Sequence, residues 1–470
     1  MSERFDTIVI GGGPGGEVAL NMLAKAGQRL ALCEMELIGG ECSNWGCIPS
    51  KTLLRPPELR GQSERTAGIE TPELVWPRLS DYRDYMVSNH DDSRRVTRYE
   101  ERGITVLKER ARLAGPGRVE ANGRVLEADA IVLATGAEAV VPPIPGLQEA
   151  GFWTNREATE VTEIPESVVF IGGGVVSVEL AQFFARFGSR VTIVQGPPHL
   201  ADREDPQIGL LLEEILREDG VELLLGKRAQ AVHVDNGDRV VELDDGGEAR
   251  GRALVLAVGR RPRTQELGLE EVGVETGPRG IVIDERCRAA EGVWAIGDCA
   301  GGGFTHVAKY QGRIAAADIL GAPAKADYRA VPRVVFTDPE IAAVGMTEAQ
   351  AREAGLDVAV ATIDLPTSIA RPYTYQENPK GTFGVVVDRR RDVLVGAWAV
   401  APLAGEWIHQ AVLAIRAEIP VSVLEDTIAQ FPTFSEALGT ALRSLPDEPM
   451  LLGADHCAHP LIEEPALEPA

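Results

Sequence analysis

The chain has 470 residues, room for about three domains at roughly 150 residues each. With 44% apolar and 25% charged residues it reads as globular, and a net charge of −24 with a pI near 4.8 argues against a nucleic-acid or anionic-membrane surface. Six Cys are too sparse for a disulfide-stapled secreted fold, no basic leader is seen, and no apolar run approaches the roughly 18 to 20 residues of a membrane span, so a cytoplasmic protein is expected.

Thr7 to Ile10 is the first apolar run, followed at once by Gly11-Gly12-Gly13-Pro14-Gly15-Gly16. A helical pattern through Val18, Ala19, Met22 and Leu23 ends at Gly27, and a second strand, Leu30 to Leu32, closes on Glu34. The order strand, glycine turn, helix, strand is one right-handed βαβ unit. In such a unit Gly11 permits the tight turn, Gly13 lets backbone N–H groups approach a pyrophosphate, and Gly16 lets the helix pack on the strand. The helix N-terminus stabilises phosphate charge, and Glu34, about 20 residues on, can accept both ribose hydroxyls of an adenosine.

Gly39 to Lys51 follows, with Cys42 and Cys47 five positions apart in a Gly-bounded turn. Such a pair can close a disulfide. The spacing differs from the Cys-x-x-Cys of zinc ribbons and no second pair completes a tetrahedral site, so no metal centre is expected.

The βαβ pattern recurs as strand Val168 to Ile171, turn Gly172-Gly173-Gly174, helix Glu179 to Phe187 and strand Val191 to Val194. Two copies roughly 160 residues apart predict two nucleotide-binding domains, with Pro142, Pro143, Pro145 and Gly146 marking the crossing between them. Ser177 stands where the third small residue belongs, and the second strand ends at Gln195 instead of an acid. The site therefore does not repel a 2′-phosphate, yet no Arg stands beside Gln195. His199 and Arg203 are nearby, with plain solvation as the simpler reading, and the choice between NADH and NADPH stays open with a slight lean to NADPH.

Near Val331-Pro332 the pattern changes to shorter strands, such as Gly384 to Val387 and Val393 to Ala401, with helices near 346–354 and 405–416, which reads as a separate α+β domain. From Asp447 onward come six acids, four Pro and no Lys or Arg, read as a flexible or surface-hugging tail.

The Cys segment resembles the redox-active disulfide of the class I FAD-dependent pyridine nucleotide–disulfide oxidoreductases, the group of dihydrolipoamide dehydrogenase, glutathione reductase and mercuric reductase. Ala134-Thr135-Gly136, Trp294-Ala295-Ile296-Gly297-Asp298 and Val334-Val335-Phe336-Thr337-Asp338-Pro339-Glu340 extend the resemblance over residues 4 to 445. It implies an α/β enzyme with two doubly wound Rossmann-like domains and a C-terminal α+β dimerisation domain. The division is 1–150 and 276–330 for FAD, 151–275 for NAD(P), 331–446 for dimerisation and 447–470 for the tail. The cofactors implied are FAD with NADPH or NADH, and the assembly a homodimer.

The resemblance also assigns roles. Cys47 would be the charge-transfer thiolate near the flavin and Cys42 the outward thiolate that meets the acceptor. Lys51, one of only seven Lys, and Glu179 match the ion pair beside the flavin. Asp298 would hold the ribityl chain, and the helix after Thr305 would aim its dipole at the flavin. FAD binding falls to Gly11, Gly13, Pro14, Gly16, Glu34, Lys51, Ala111, Thr135, Gly136, Asp298 and Thr305. The nicotinamide dinucleotide falls to Gly172, Gly174, Glu179, Gln195 and Gly259. Glu436 would face the other chain's Cys42.

The sequence departs from the disulfide reductases of this group where a His general base is usual: Phe431-Pro432-Thr433-Phe434-Ser435-Glu436 keeps the Glu and replaces the His with Phe431. A phenyl ring shuttles no proton, so exchange with a dithiol should lose a factor of about 10²–10⁴. Val175 to Gln182, Arg203 to Pro206 and Val400-Ala401-Pro402 lean toward mercuric reductase, but its adjacent C-terminal Cys are absent. The tail holds one thiol, in Asp455-His456-Cys457-Ala458-His459, read either as a metal or thiol relay or as incidental. The small-molecule acceptor is left as a disulfide, a soft metal ion or a quinone. The alternatives are a flavin-binding redox sensor without turnover and a specialised disulfide reductase that uses a tail His. Cys33, Cys287 and Cys299 are expected as core fillers, and His306 and His409 as structural.

Overall fold

The computed structural model describes residues 3–446. Strand β1 (Glu3–Ile10) lies between β2 (Leu30–Cys33) and strand Arg124–Leu133, parallel to both, with Thr7 opposite Leu30 and Ile10 opposite Cys33. All four residues of β2 are buried, as a strand covered on both faces requires. Helix α1 (Pro14–Lys25) begins with Pro at its first turn, where a missing N–H costs nothing. Thr105–Leu107 flanks β2, and Val293–Ala295 with Arg288–Ala290 close the sheet beyond Arg124–Leu133, so a segment from far along the chain completes the first domain.

Helix α2 (Gly40–Asn44) carries Cys42, and α3 (Cys47–Glu64) opens on Cys47. Pro56 and Pro57 sit inside α3, where proline ordinarily signals a break.

Strands Ala137–Ala139 and Arg260–Pro262 pair antiparallel where the chain leaves for the second domain and returns. Between them, after the short helix α4 (Asn155–Thr159), comes a parallel sheet. It has β3 (Ser167–Ile171) beside β4 (Arg190–Gln195), β5 (Glu222–Leu225) outside β4, and Ala253–Leu256 on the other flank. Helix α5 (Val175–Arg186) starts at Val175, four residues before the expected Glu179. Val175 and Val176 are exposed, and the buried face of α5 begins at Ser177 and Val178.

Helix α6 (Thr305–Ile319) returns to the first domain and crosses α1 closely. A β-carbon on Gly312 would lie 2.5 Å from the Gly15 carbonyl oxygen, so only glycine allows that approach. The C-terminal lobe is a five-stranded antiparallel sheet in the order β6 (Pro332–Val335), Glu340–Gly345, Val393–Ala401, Thr382–Asp388, Val358–Asp364. The helix expected over 405–416 is two, Ala404–Trp407 and His409–Ala417, and α7 (Glu436–Arg443) packs on strand Thr382–Asp388.

Asp338 ties the three lobes together. Its carboxylate accepts from Arg65 Nη2 at 2.7 and 2.8 Å, just past α3, and from Arg186 Nη1 at 2.8 Å, at the end of α5. The Gln182 amide meets the Asp338 backbone on both sides, and Arg186 also holds Asp219 at 3.0 Å.

Candidate active site

The two glycine turns are built alike. Gly11 has φ +104° and Gly172 φ +105°, and a β-carbon on either would strike a carbonyl oxygen, of Ala134 at 2.3 Å or of Ala257 at 2.5 Å. Beyond them the space opens. A β-carbon on Gly174 would meet nothing within 4 Å, and one on Gly13 only Gly40 at 3.9 Å, which leaves both helix N-termini approachable by a pyrophosphate. Gly16 is the opposite case, its absent β-carbon 2.1 Å from the Gly11 carbonyl oxygen, so helix and strand touch there. Ser177 fills the corresponding position in the second turn, fully buried, with no hydrogen-bond partner for its Oγ among the described residues.

At the end of β2, Glu34 accepts from the Gly12 N–H at 2.7 Å and from the Glu36 N–H at 2.7 Å. Burial pushes its carboxyl up, and these two bonds pull against the shift. Gln195 repeats the arrangement without the charge, accepting from the Gly173 N–H at 2.7 Å. Gly136 and Gly259 have positive φ and open space around them, and Ala111 is buried at the head of strand Ala111–Leu113. Thr135 Oγ1 donates to the Arg263 carbonyl at 2.8 Å, and Asp298 lies in the turn Gly297–Ala300, 3.8 Å from Arg260. An open pyrophosphate path, a ribose carboxylate and these clear backbone positions fit FAD in the first domain. The second turn fits a nicotinamide dinucleotide.

Cys42, half-buried, and Cys47, exposed, carry free thiols. Cys47 Sγ lies 3.5 Å from Thr305 Oγ1, so the first residues of α3 and α6 meet at this sulfur. The Cys42 thiol hydrogen-bonds Cys47, and with Thr305 and Lys51 it lowers the Cys47 pKa to about 6 against the opposing effect of burial. The same hydrogen bond and burial push Cys42 up. Both effects favour a thiolate on Cys47 over one on Cys42.

Lys51 Nζ pairs with Glu179 Oε2 at 2.6 Å, with the Glu179 side chain only 4% exposed. Glu179 Oε1 accepts from the Phe336 N–H at 2.9 Å, and Lys51 lies over the Phe336 ring at 4.8 Å. The pair thus joins α3, α5 and the C-terminal lobe.

A set of residues that sequence reasoning missed surrounds the Cys turn. Arg156 of α4 stacks on Trp45 at 3.9 Å and binds Glu36 and Glu41, and Trp45 Nε1 donates to Glu160 at 2.8 Å. His90 Nδ1 lies 3.1 Å from the same Glu160 carboxylate. Nothing local marks these groups, since α4 lies more than a hundred residues along the chain.

Glu436 is not brought to the Cys pair within one chain; it accepts from the Thr433 N–H at 3.0 Å. Phe431 is 71% exposed. His199 faces Glu213 at 3.1 Å, Arg203 is exposed, and His306 stacks on Phe304 with Nε2 2.9 Å from the Pro332 carbonyl. His409 is exposed, so it fills no core in the single chain. Cys33, Cys287 and Cys299 are buried as expected, although Cys287 takes φ +64°, a left-handed turn the sequence did not announce. The Asp455–His459 cluster lies outside the described residues.

Residues 5–312 match the pyridine nucleotide-disulphide oxidoreductase family and residues 331–442 its dimerisation domain. The chain is 33% identical over 448 residues to a mercuric reductase of Staphylococcus aureus, covering 93% of this chain and 82% of the relative. It is 36% identical over 461 residues to a dihydrolipoyl dehydrogenase of Thermus scotoductus, covering 94% and 98%. Among solved structures, the Cu(II) complex of the HOCl-induced flavoprotein disulfide reductase RclA from Escherichia coli superposes with a TM-score of 0.82 at 30% identity, over 93% of this chain and 99% of that one. The cofactors are FAD and NAD(P)H, the fold is two nucleotide-binding domains with a dimerisation domain, and no helix among the described residues is long and apolar enough to cross a membrane. The chain belongs to the class I pyridine nucleotide–disulphide oxidoreductases, as an FAD-dependent oxidoreductase.

Proposed function

We propose that this oxidoreductase takes two electrons from NAD(P)H and delivers them, by way of the Cys42–Cys47 pair, to a soft metal ion held at the thiolates. The observation that carries the reading is Phe431, an exposed phenyl ring where a proton-shuttling base is expected, in a chain whose Cys47 sulfur meets Thr305 at 3.5 Å five residues from Cys42. Soft cations bind thiolates and need no proton shuttle, which a disulfide acceptor does. The relatives named mercuric reductase and the RclA structure named as a Cu(II) complex support the same acceptor class. One hydride reduces one Hg(II) to the metal and releases one proton.

FAD, when bound, supplies the two-electron relay between nicotinamide and sulfur. Lys51, fixed by Glu179, stabilises negative charge there, and Cys42 is the sulfur that meets the acceptor, although in the single chain Cys47 is the more exposed of the two. The enzyme works in the cytoplasm as a homodimer, in which each C-terminal lobe presents Glu436 to the other subunit's Cys42. Our division keeps residues 1–150 and 276–330 for FAD, 151–275 for NAD(P) with the Gly172–Gln195 unit inside it, 331–446 for dimerisation and 447–470 as the tail.

A second reading, a quinone reduced at the flavin, is favoured by the same Phe431, which offers an apolar surface and no base. Steady-state NAD(P)H oxidation against Hg(II), Cu(II), a quinone and small disulfides separates the two. Metal turnover should vanish in Cys42→Ser, whereas quinone turnover should survive it. Lipoamide or glutathione disulfide as the best substrate of a chain ending at Leu445 would overturn the metal reading.

A further inference from the structure

We infer that Arg228 reads the 2′-phosphate of NADPH, and that this enzyme prefers the phosphorylated dinucleotide. The inference rests on reading the Gly172–Gln195 unit as the pyridine-nucleotide site.

Gln195 occupies the place that Glu34 holds in the first domain. Each accepts from the N–H of the second glycine of its turn at 2.7 Å. At that position a carboxylate binds a free ribose 2′-hydroxyl and repels a 2′-phosphate. A neutral amide gives no such repulsion, but it offers a dianion no attraction either. The attraction has to come from another element.

The parallel sheet supplies it. Strand β5 runs beside β4 with Leu225 opposite Gln195, and the two chains stay together past their ends. The Lys227 N–H donates to the Gln195 carbonyl and the Gly226 N–H to the Pro197 carbonyl, both at 3.1 Å. This lays Arg228 across Gly196, the residue right after Gln195. A β-carbon on Gly196 would sit 3.4 Å from Arg228 Cγ and 3.5 Å from its Nε. The stem thus packs on bare backbone at the carboxyl edge of the sheet, where dinucleotides bind.

Arg228 is also unspent. Its backbone is fixed by Asp244, whose Oδ1 accepts the Arg228 N–H at 3.0 Å, while among the described residues no carboxylate pairs with its exposed guanidinium. The neighbouring Lys227 is taken by Asp245 at 2.7 Å, and His199 by Glu213. In so acidic a chain a free guanidinium over Gly196, at the carboxyl edge of the sheet, offers a phosphate a bidentate fork.

The test is calorimetric titration of the flavin-loaded protein with 2′,5′-ADP and with 5′-AMP, alongside KM for NADPH and NADH. Wild type should bind 2′,5′-ADP at least about 10-fold more tightly than 5′-AMP. Arg228→Ala should weaken 2′,5′-ADP about 10- to 100-fold and raise KM for NADPH alike, with 5′-AMP and NADH changed less than about 2-fold. Arg228→Lys should fall between, because it keeps the charge and loses the fork. Equal affinity of wild type for the two probes, or an equal loss for both in Arg228→Ala, would overturn the inference. Reduction of the flavin by neither NADPH nor NADH would overturn the reading of the site beneath it.

Discussion

Thr305 Oγ1 lies 3.5 Å from Cys47 Sγ, and this contact brings the N-terminus of α6 to the sulfur that opens α3. Two helix N-termini and Lys51, one turn along α3, converge on one atom. Cys42 shares the neighbourhood but donates its hydrogen bond to Cys47, so the two sulfurs are driven apart in acidity.

A thiol lowered to about 6 is ionised above that pH and loses its charge as pH falls through it. The long-wavelength thiolate-to-flavin absorption of the reduced enzyme should therefore be full at pH 8 and fade with a midpoint near 6. Thr305→Val, which removes one hydrogen bond to the thiolate, should move the midpoint upward. Cys47→Ser should lack the band at every pH, and its survival there would reassign the thiolate.

Asp338→Ala should cost about 3–5 kcal/mol in urea unfolding, because it strands the Arg65 and Arg186 guanidinium groups that share its buried carboxylate. Arg65→Met should cost less, since Arg65 is the more exposed partner and Arg186 keeps Asp338 company. A loss below about 1 kcal/mol for Asp338→Ala would mean that the ion network does not tie the lobes.

What the sequence showed and what it hid divide by the range of the contacts. Gly11, Gly16 and Glu34 act across two dozen residues, and the tight turn at Gly11 and the helix–strand contact at Gly16 read from spacing have their geometry in the structure. Lys51 and Glu179 were found only through family resemblance, because 128 residues separate them. Thr305 on Cys47, Arg156 on Trp45 and Arg228 on Gly196 were not found at all. Each depends on which helix or strand ends the fold lays side by side, and no local pattern encodes that. The start of α5 was read four residues late, at Glu179 instead of Val175, where the first two residues of the helix are exposed.

Ser177→Ala should leave stability unchanged or raise it by up to about 1 kcal/mol. The hydroxyl is buried without a partner, so its removal returns a desolvation cost and loses no bond. Thermal unfolding reads the change, and a clear destabilisation would reveal a partner for Oγ.

Phe431→His should turn this enzyme toward disulfides. Phe431 is 71% exposed, so the exchange disturbs no core, and Glu436 is already in place five residues on to orient an imidazole in a dimer. A base at that position protonates the leaving thiolate and deprotonates the attacking thiol, which is worth about 10²–10⁴ in rate. Turnover of lipoamide with NAD(P)H should rise by that order, while metal turnover, which uses no base, should change less than about 3-fold. If lipoamide turnover in Phe431→His stays at the wild-type level, the missing imidazole is not what separates this enzyme from its disulfide-reducing relatives.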